Sequence, residues 1–163
     1  MRIGNVNTRS YRHKQHNICM TIEDLKLDVL CISETWFNQT ENYPVPENYP
    51  KYHIHRQDRR THGGGVATIV KNCFKVNRLS ISESDWKFPH SLEFLCRSIQ
   101  LTFFKSIILC VIYRTNYINN DLSNLEILFE LLHPKNKNLY IVGDFNVNFY
   151  GSDKACMTEK CFD

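Results

Sequence analysis

No stretch of the chain stays apolar for the roughly 18 positions that a membrane span needs. The polar start MRIGNVNTRS also lacks the apolar core of a secretory leader. Neither a membrane partner nor export is therefore expected. Net charge is scarce too: it is only +3, too little by itself to assign a nucleic-acid partner. Cysteines in metal-binding pairs are missing as well. The seven cysteines are an odd number, which excludes a complete disulfide framework within one chain. Only Cys156 and Cys161 approach the close spacing of a zinc site, and no second pair accompanies them. Cys31 in VLCIS, Cys96 in FLCRS and Cys110 in ILCVI read instead as buried free thiols. That usage predicts a reducing, intracellular setting, nuclear or cytoplasmic. Asn38-Gln39-Thr40 matches a glycosylation acceptor, read as coincidence without a leader. Internal repeats and low-complexity linkers are absent.

What remains is the composition of a globular domain. With 42% hydrophobic and 23% charged residues, disorder is excluded, and the length favours one domain over residues 1–163. A chain of this size can bury roughly 70% of its unfolded surface without crosslinks.

Short apolar runs alternate with single helical patterns, which predicts a layered α/β fold. Residues 2–7 are a short candidate strand. Ile18, Ile22 and Leu25 recur at helical spacing within 15–27. The continuous run DVLCIS, 28–33, suits a strand buried on both faces. Pro44, Pro46 and Pro50 make 38–51 a loop. Gly63-Gly64-Gly65 precedes the β-branched strand VATIV; with no helix following, it reads as a tight turn rather than a phosphate cradle. Two strands over 92–101 and 105–113 join near Phe104. Leu122, Leu125, Leu128, Phe129 and Leu132 mark a helix over 121–132, with Asp121 as N-cap and Pro134 as stop. LYIVG, 139–143, is a further buried strand. No element is expected from Gly151 onward.

Polar residues gather where these runs end. Asn7 ends the first run, Ser33-Glu34-Thr35 follows VLCI, Tyr113-Arg114 end the fifth, and Asp144-Phe145-Asn146 follow LYIVG. Strand ends of this kind supply convergent groups at ligand sites. Carboxylates and water suit a hard cation such as magnesium, which keeps positions open for phosphate oxygens. The chemistry this permits is attack of water on a phosphodiester. Read singly, each residue has a plainer meaning. Glu34 or Asp144 could serve a turn, Asn7 and Asn146 could make local hydrogen bonds, and Tyr113 could be a core aromatic. Their shared position carries the argument.

The series NTRS, LDVLCISETWF, HRQDRRTHGGGVATIVK, VIYR and IVGDFNVNF resembles the endonuclease domain of non-LTR retrotransposons. That domain is the apurinic type within the endonuclease/exonuclease/phosphatase superfamily. The resemblance runs from Asn7 to about Phe149. It implies an α/β fold, a two-sheet β-sandwich flanked by helices as in deoxyribonuclease I. It also implies a Mg2+-dependent enzyme (Mn2+ as substitute) that nicks DNA. By the same resemblance Glu34 is the main metal ligand, and Asn7 helps to position the metal and a phosphate. Asn5 competes for that role, but NTRS is the better match. Tyr113 bonds the scissile phosphate, Asp144 orients or activates the water, and Asn146 stabilises the transition state. Arg56, Arg59, Arg60 and Arg114 lie near the DNA backbone, although a solvated basic loop explains the first three nearly as well. The family's closing Ser-Asp-His does not occur. The seven histidines all precede GDFN. The expectation is therefore an incomplete second half, from a longer reading frame or a decayed copy. An inactive remnant with weak nucleic-acid binding is the alternative, and a phosphatase or RNA-directed relative is a third reading.

Overall fold

A computed structural model describes residues 1–38, 51–59, 62–79, 91–115, 121–132 and 138–146, the side chains of 121 and 122 excepted. It contains β1 (Ile3–Asn7), α1 (Gln15–Asp24), β2 (Val29–Ser33), β3 (Tyr52–Gln57), β4 (Val66–Lys71), β5 (Lys75–Arg78), β6 (Leu92–Thr102), β7 (Lys105–Arg114), α2 (Asp121–Leu132) and β8 (Leu139–Asp144). One sheet has the order β1-β2-β4-β3 and the other β5-β6-β7-β8. Both are mixed: β1 runs parallel to β2 and β7 parallel to β8, while the remaining neighbours are antiparallel.

Strand alternation explains why the central runs are apolar throughout. In β2, Val29 and Cys31 face the core between the sheets, whereas Leu30 and Ile32 face outward. The outward pair packs with Ile18 and Ile22 of α1. In β7, Ile107, Leu109, Val111 and Tyr113 join the core between the sheets. Ile108, Cys110 and Ile112 pack under Leu125, Leu128 and Leu132 of α2. Successive side chains of a strand point to opposite faces, so a strand covered on both sides needs apolar residues at every position. The result is helix, sheet, sheet, helix: the two-sheet sandwich flanked by helices that the resemblance implies.

Several boundaries differ from expectation. Helix α1 ends at Asp24 rather than 27, because Lys26 takes a left-handed φ of 50°. Leu25 is consequently 57% exposed, and Leu27 turns into the core instead. Strands β3 and β5 lie where no strand was read. Arg56 therefore belongs to a strand and not to a loop. The three-proline loop falls mostly outside the described residues, as do Pro134, the segment after Asn146 and the side chain of Asp121. The five described cysteines, 19, 31, 73, 96 and 110, are free thiols, and all but Cys73 are buried. Among the described residues, no helix is long and apolar enough to cross a membrane.

Candidate active site

The parallel pairs β1–β2 and β7–β8 sit in different sheets, and β1 approaches β8 across the sandwich. Asn5 marks this seam, donating its side-chain amide to Gly143 O at 3.3 Å. The C-terminal ends of these strands come together at one end of the seam. There Asn7 Nδ2 donates to Glu34 Oε1 and to Asp144 Oδ2, each at 2.7 Å. The two carboxylate oxygens are thus no farther apart than twice that distance, although one follows a strand of each sheet. A carboxamide has two donor hydrogens, and this one spends both on the pair. Its own Oδ1 accepts from Arg9 N at 3.0 Å.

Backbone bonds beyond the strands hold Glu34 in place. Thr8 N, Ser10 N and Tyr11 N donate to the carbonyls of Ser33, Glu34 and Thr35 at 3.0, 2.9 and 3.0 Å. On the other side, Thr35 N and Trp36 N donate to Gly65 O and Gly64 O at 3.2 and 2.8 Å. Glu34 itself has a φ of 54°. A left-handed backbone is unfavourable for a residue with a long side chain and persists only where surrounding bonds impose it. Gly65 has a φ of 86°, and a Cβ there would lie 2.5 Å from Thr35 Oγ1. The glycine run is therefore a turn, as the sequence indicates, and it braces the Glu34 loop.

Tyr113 is 9% exposed, and its hydroxyl faces the Glu34 carboxylate. Burial first, and then the facing Glu34 charge, push its pKa up to about 12. Arg59 lies over the Tyr113 ring at 5.9 Å and pairs with Glu93. Glu93 Oε2 also accepts from Gly65 N at 2.5 Å. Burial pushes the Glu93 carboxyl up, the Gly65 amide and Arg59 pull it down, and the Glu34 charge adds to the upward push.

Asn146 N donates to Asp144 Oδ1 at 3.1 Å, and Asn146 Nδ2 donates to Arg114 O at 2.5 Å. Arg114 is 4% exposed and donates to Phe145 O and Asn146 O at 3.3 and 3.5 Å. It follows Tyr113 and so points to the opposite face of β7; from there it supports the Asn146 turn. Arg56 pairs with Asp58 at 3.3 Å and lies over Phe37 at 5.1 Å. Arg60 lies outside the described residues.

Asn7, Glu34, Tyr113 and Asp144 therefore converge, with Asn146 bonded to Asp144. Glu93 joins them, unforeseen. Its signal is legible in the sequence: Glu93 shares the parity of Leu95 and Ile99, which face the core between the sheets, and a carboxylate on that face calls for partners. Among the described residues, no three His, Cys, Asp or Glu side chains group to hold a metal. Two carboxylates with amide support are what the cluster offers, and a magnesium ion is commonly held by one or two protein carboxylates, with water and substrate completing its shell.

The endonuclease/exonuclease/phosphatase family model matches residues 4–154. No curated protein matches by sequence. Among solved structures, the endonuclease domain of TRAS1, a telomere-specific non-LTR retrotransposon, aligns with a TM-score of 0.59 at 14% identity, over 90% of this chain and 59% of that one. D. rerio TDP2 complexed with single-strand DNA product aligns at 0.58 and 12%, over 90% and 58%. An AP endonuclease from Archaeoglobus fulgidus aligns at 0.62 and 20%, again over 90% and 58%. At such identities the likeness concerns the fold, and this chain spans about three fifths of each of these structures.

Proposed function

Because the chain belongs to the endonuclease/exonuclease/phosphatase family, we propose that its strand-end cluster is the metal-binding part of a DNA phosphodiesterase site of the retrotransposon endonuclease kind. The observation that carries this reading is the single Asn7 amide joining Glu34 and Asp144 across the two sheets. The donor set fits a hard divalent cation: oxygen ligands and two negative charges. Glu34 would hold Mg2+, with Mn2+ as substitute, and Asn7 would help to place it. When bound, the ion neutralises charge developing on a phosphate.

The chain's own residues supply further parts of the site. Tyr113 keeps its proton far above neutral pH and donates it in a hydrogen bond to a phosphate oxygen. Asp144 orients a water molecule and accepts its proton. Asn146 spends one amide hydrogen on Arg114 O and offers the second to the phosphate oxygens in the transition state. Arg59 lies beside this cluster, over the Tyr113 ring, and with Arg56 of β3 it favours the DNA backbone by charge. Arg114 acts through the Asn146 turn.

Supercoiled-plasmid nicking tests the proposal. Nicking should appear with Mg2+ and vanish with chelator. Asp144→Asn should lower the rate by about 10²–10⁴, the range for a lost general base, and Glu34→Ala should abolish metal-dependent turnover. Nicking that Glu34→Ala leaves intact refutes the assignment. Salt-sensitive DNA association without nicking would favour the inactive remnant.

A further inference from the structure

Trp36 lies two residues beyond Glu34, yet it is 42% exposed while Thr35 between them is 1% exposed. Its outward position is imposed. Trp36 has a φ of 55°, a genuine outlier for a bulky residue, and its N–H is fixed to Gly64 O at 2.8 Å. Its ring meets His62, also exposed, at 5.6 Å and 55°. Neither ring belongs to any of the three core clusters, so core packing does not account for the strain. Gly63 leaves the indole edge open: a Cβ there would lie 4.0 Å from Trp36 Nε1. An exposed aromatic face held by strained backbone beside a phosphate-type site has the form of a base-stacking surface.

We infer that the Trp36–His62 pair is a stacking platform for an unpaired nucleobase of the strand whose phosphate lies at the Glu34 cluster. The distance is suitable. Two residues span at most about 7 Å, which is about two steps of a DNA strand at roughly 3.4 Å each. The inference rests on the DNA reading of that cluster and adds a contact to the base. Stacking on indole is tolerant of sequence, since every base has a π-face.

The chain has two tryptophans, so Trp86→Phe leaves Trp36 as the sole tryptophan reporter. With Ca2+ in place of Mg2+, this variant is titrated with oligothymidylate and with an abasic oligomer of equal length. Oligothymidylate should quench Trp36 emission, and the abasic strand should not. Trp36→Ala should weaken binding of oligothymidylate about 10-fold and leave abasic binding unchanged, while Trp36→Phe should restore most of the loss. Equal quenching by both strands, or equal effects of Trp36→Ala on both, overturns the platform and leaves an unliganded surface pair. The reporter variant retains Trp36, so its result stands even if Trp36→Ala fails to fold. Fluorescence needs no turnover. Absence of nicking therefore counts against the phosphodiesterase alone, and base-independent fluorescence in a nicking protein counts against the platform alone.

Discussion

Glu93 and Arg59 form a partly buried ion pair whose members touch the site from two sides: Arg59 through the Tyr113 ring and Glu93 through Gly65 N. The side chains are 12% and 20% exposed, so removal of one partner strands a poorly hydrated charge. A fully buried pair broken this way costs about 3–5 kcal/mol; partial solvent access lowers the expectation to about 2 kcal/mol for Glu93→Ala. Replacement of both, Glu93→Leu with Arg59→Met, should cost less than the two single changes together, because no lone charge remains. A denaturant double-mutant cycle measures the coupling, and simple additivity would show that the pair does not act as a unit. The position of Asn7, Glu34, Tyr113 and Asp144 at strand ends was legible, because each ends or follows a candidate strand. The role of Arg114 was not. Its sequence position beside Tyr113 is identical for a DNA contact and for a buried brace, and only the face of β7 separates the two.

The glycine run and the Glu34 loop are one mechanical element. Gly64 and Gly65 supply the carbonyls that fix Trp36 and Thr35, and Gly65 occupies a backbone region in which a side chain would strike Thr35. Gly65→Ala should therefore destabilise by about 1–3 kcal/mol. For a chain of this length that is a loss of several degrees in Tm, at roughly 2–4 °C per kcal/mol. Calorimetry reads the loss, and an unchanged Tm would mean that the loop does not depend on the turn. A comparable constraint lies at Gly143, with a φ of 146°, where a Cβ would run into the backbone carbonyl of Ile112. The central strands were readable as unbroken apolar runs, since both of their faces are covered. Strands β3 and β5 were not, because each is an edge strand rich in His, Arg, Lys and Asn. Edge strands bury little and are commonly charged, so YHIHRQ and KVNR carry no strong apolar period.

Across the molecule, the end of the first sheet opposite Glu34 is tied by Asp28. Its carboxylate accepts from Arg2 N at 2.8 Å and from Lys71 Nζ at 2.6 Å, and its carbonyl accepts from Lys71 N at 3.0 Å. Three strands are thereby pinned at one point. The Lys71 hydrogen bond, chief among the causes, holds the Asp28 carboxyl below the usual carboxylate range. A carboxyl depressed on folding stabilises the native state above its unfolded pKa of about 3.9. That contribution is lost as pH falls from there through the lower folded value. Acid unfolding should accordingly steepen below about pH 4, and Asp28→Asn should flatten that part of the curve while lowering stability at neutral pH. Identical acid profiles for the two proteins would count against the tie. Raised salt should weaken it only in part, since the group is partly shielded.

The amino-acid order by itself determined that the domain is layered: runs apolar at every position, as in β2 and β7, require cover on both faces, while the two-sheet sandwich came from the family resemblance. It also determined which side chains stand at strand ends. Tertiary structure alone decided that Asn7 and Glu34 of one sheet meet Asp144 of the other, that Glu93 and Arg59 wall the cluster, and that Trp36 faces outward. Alternation and periodicity are local properties of one element. The meeting of β1 with β8 is set by how two sheets pack, and no spacing along the chain encodes which of their edges come together.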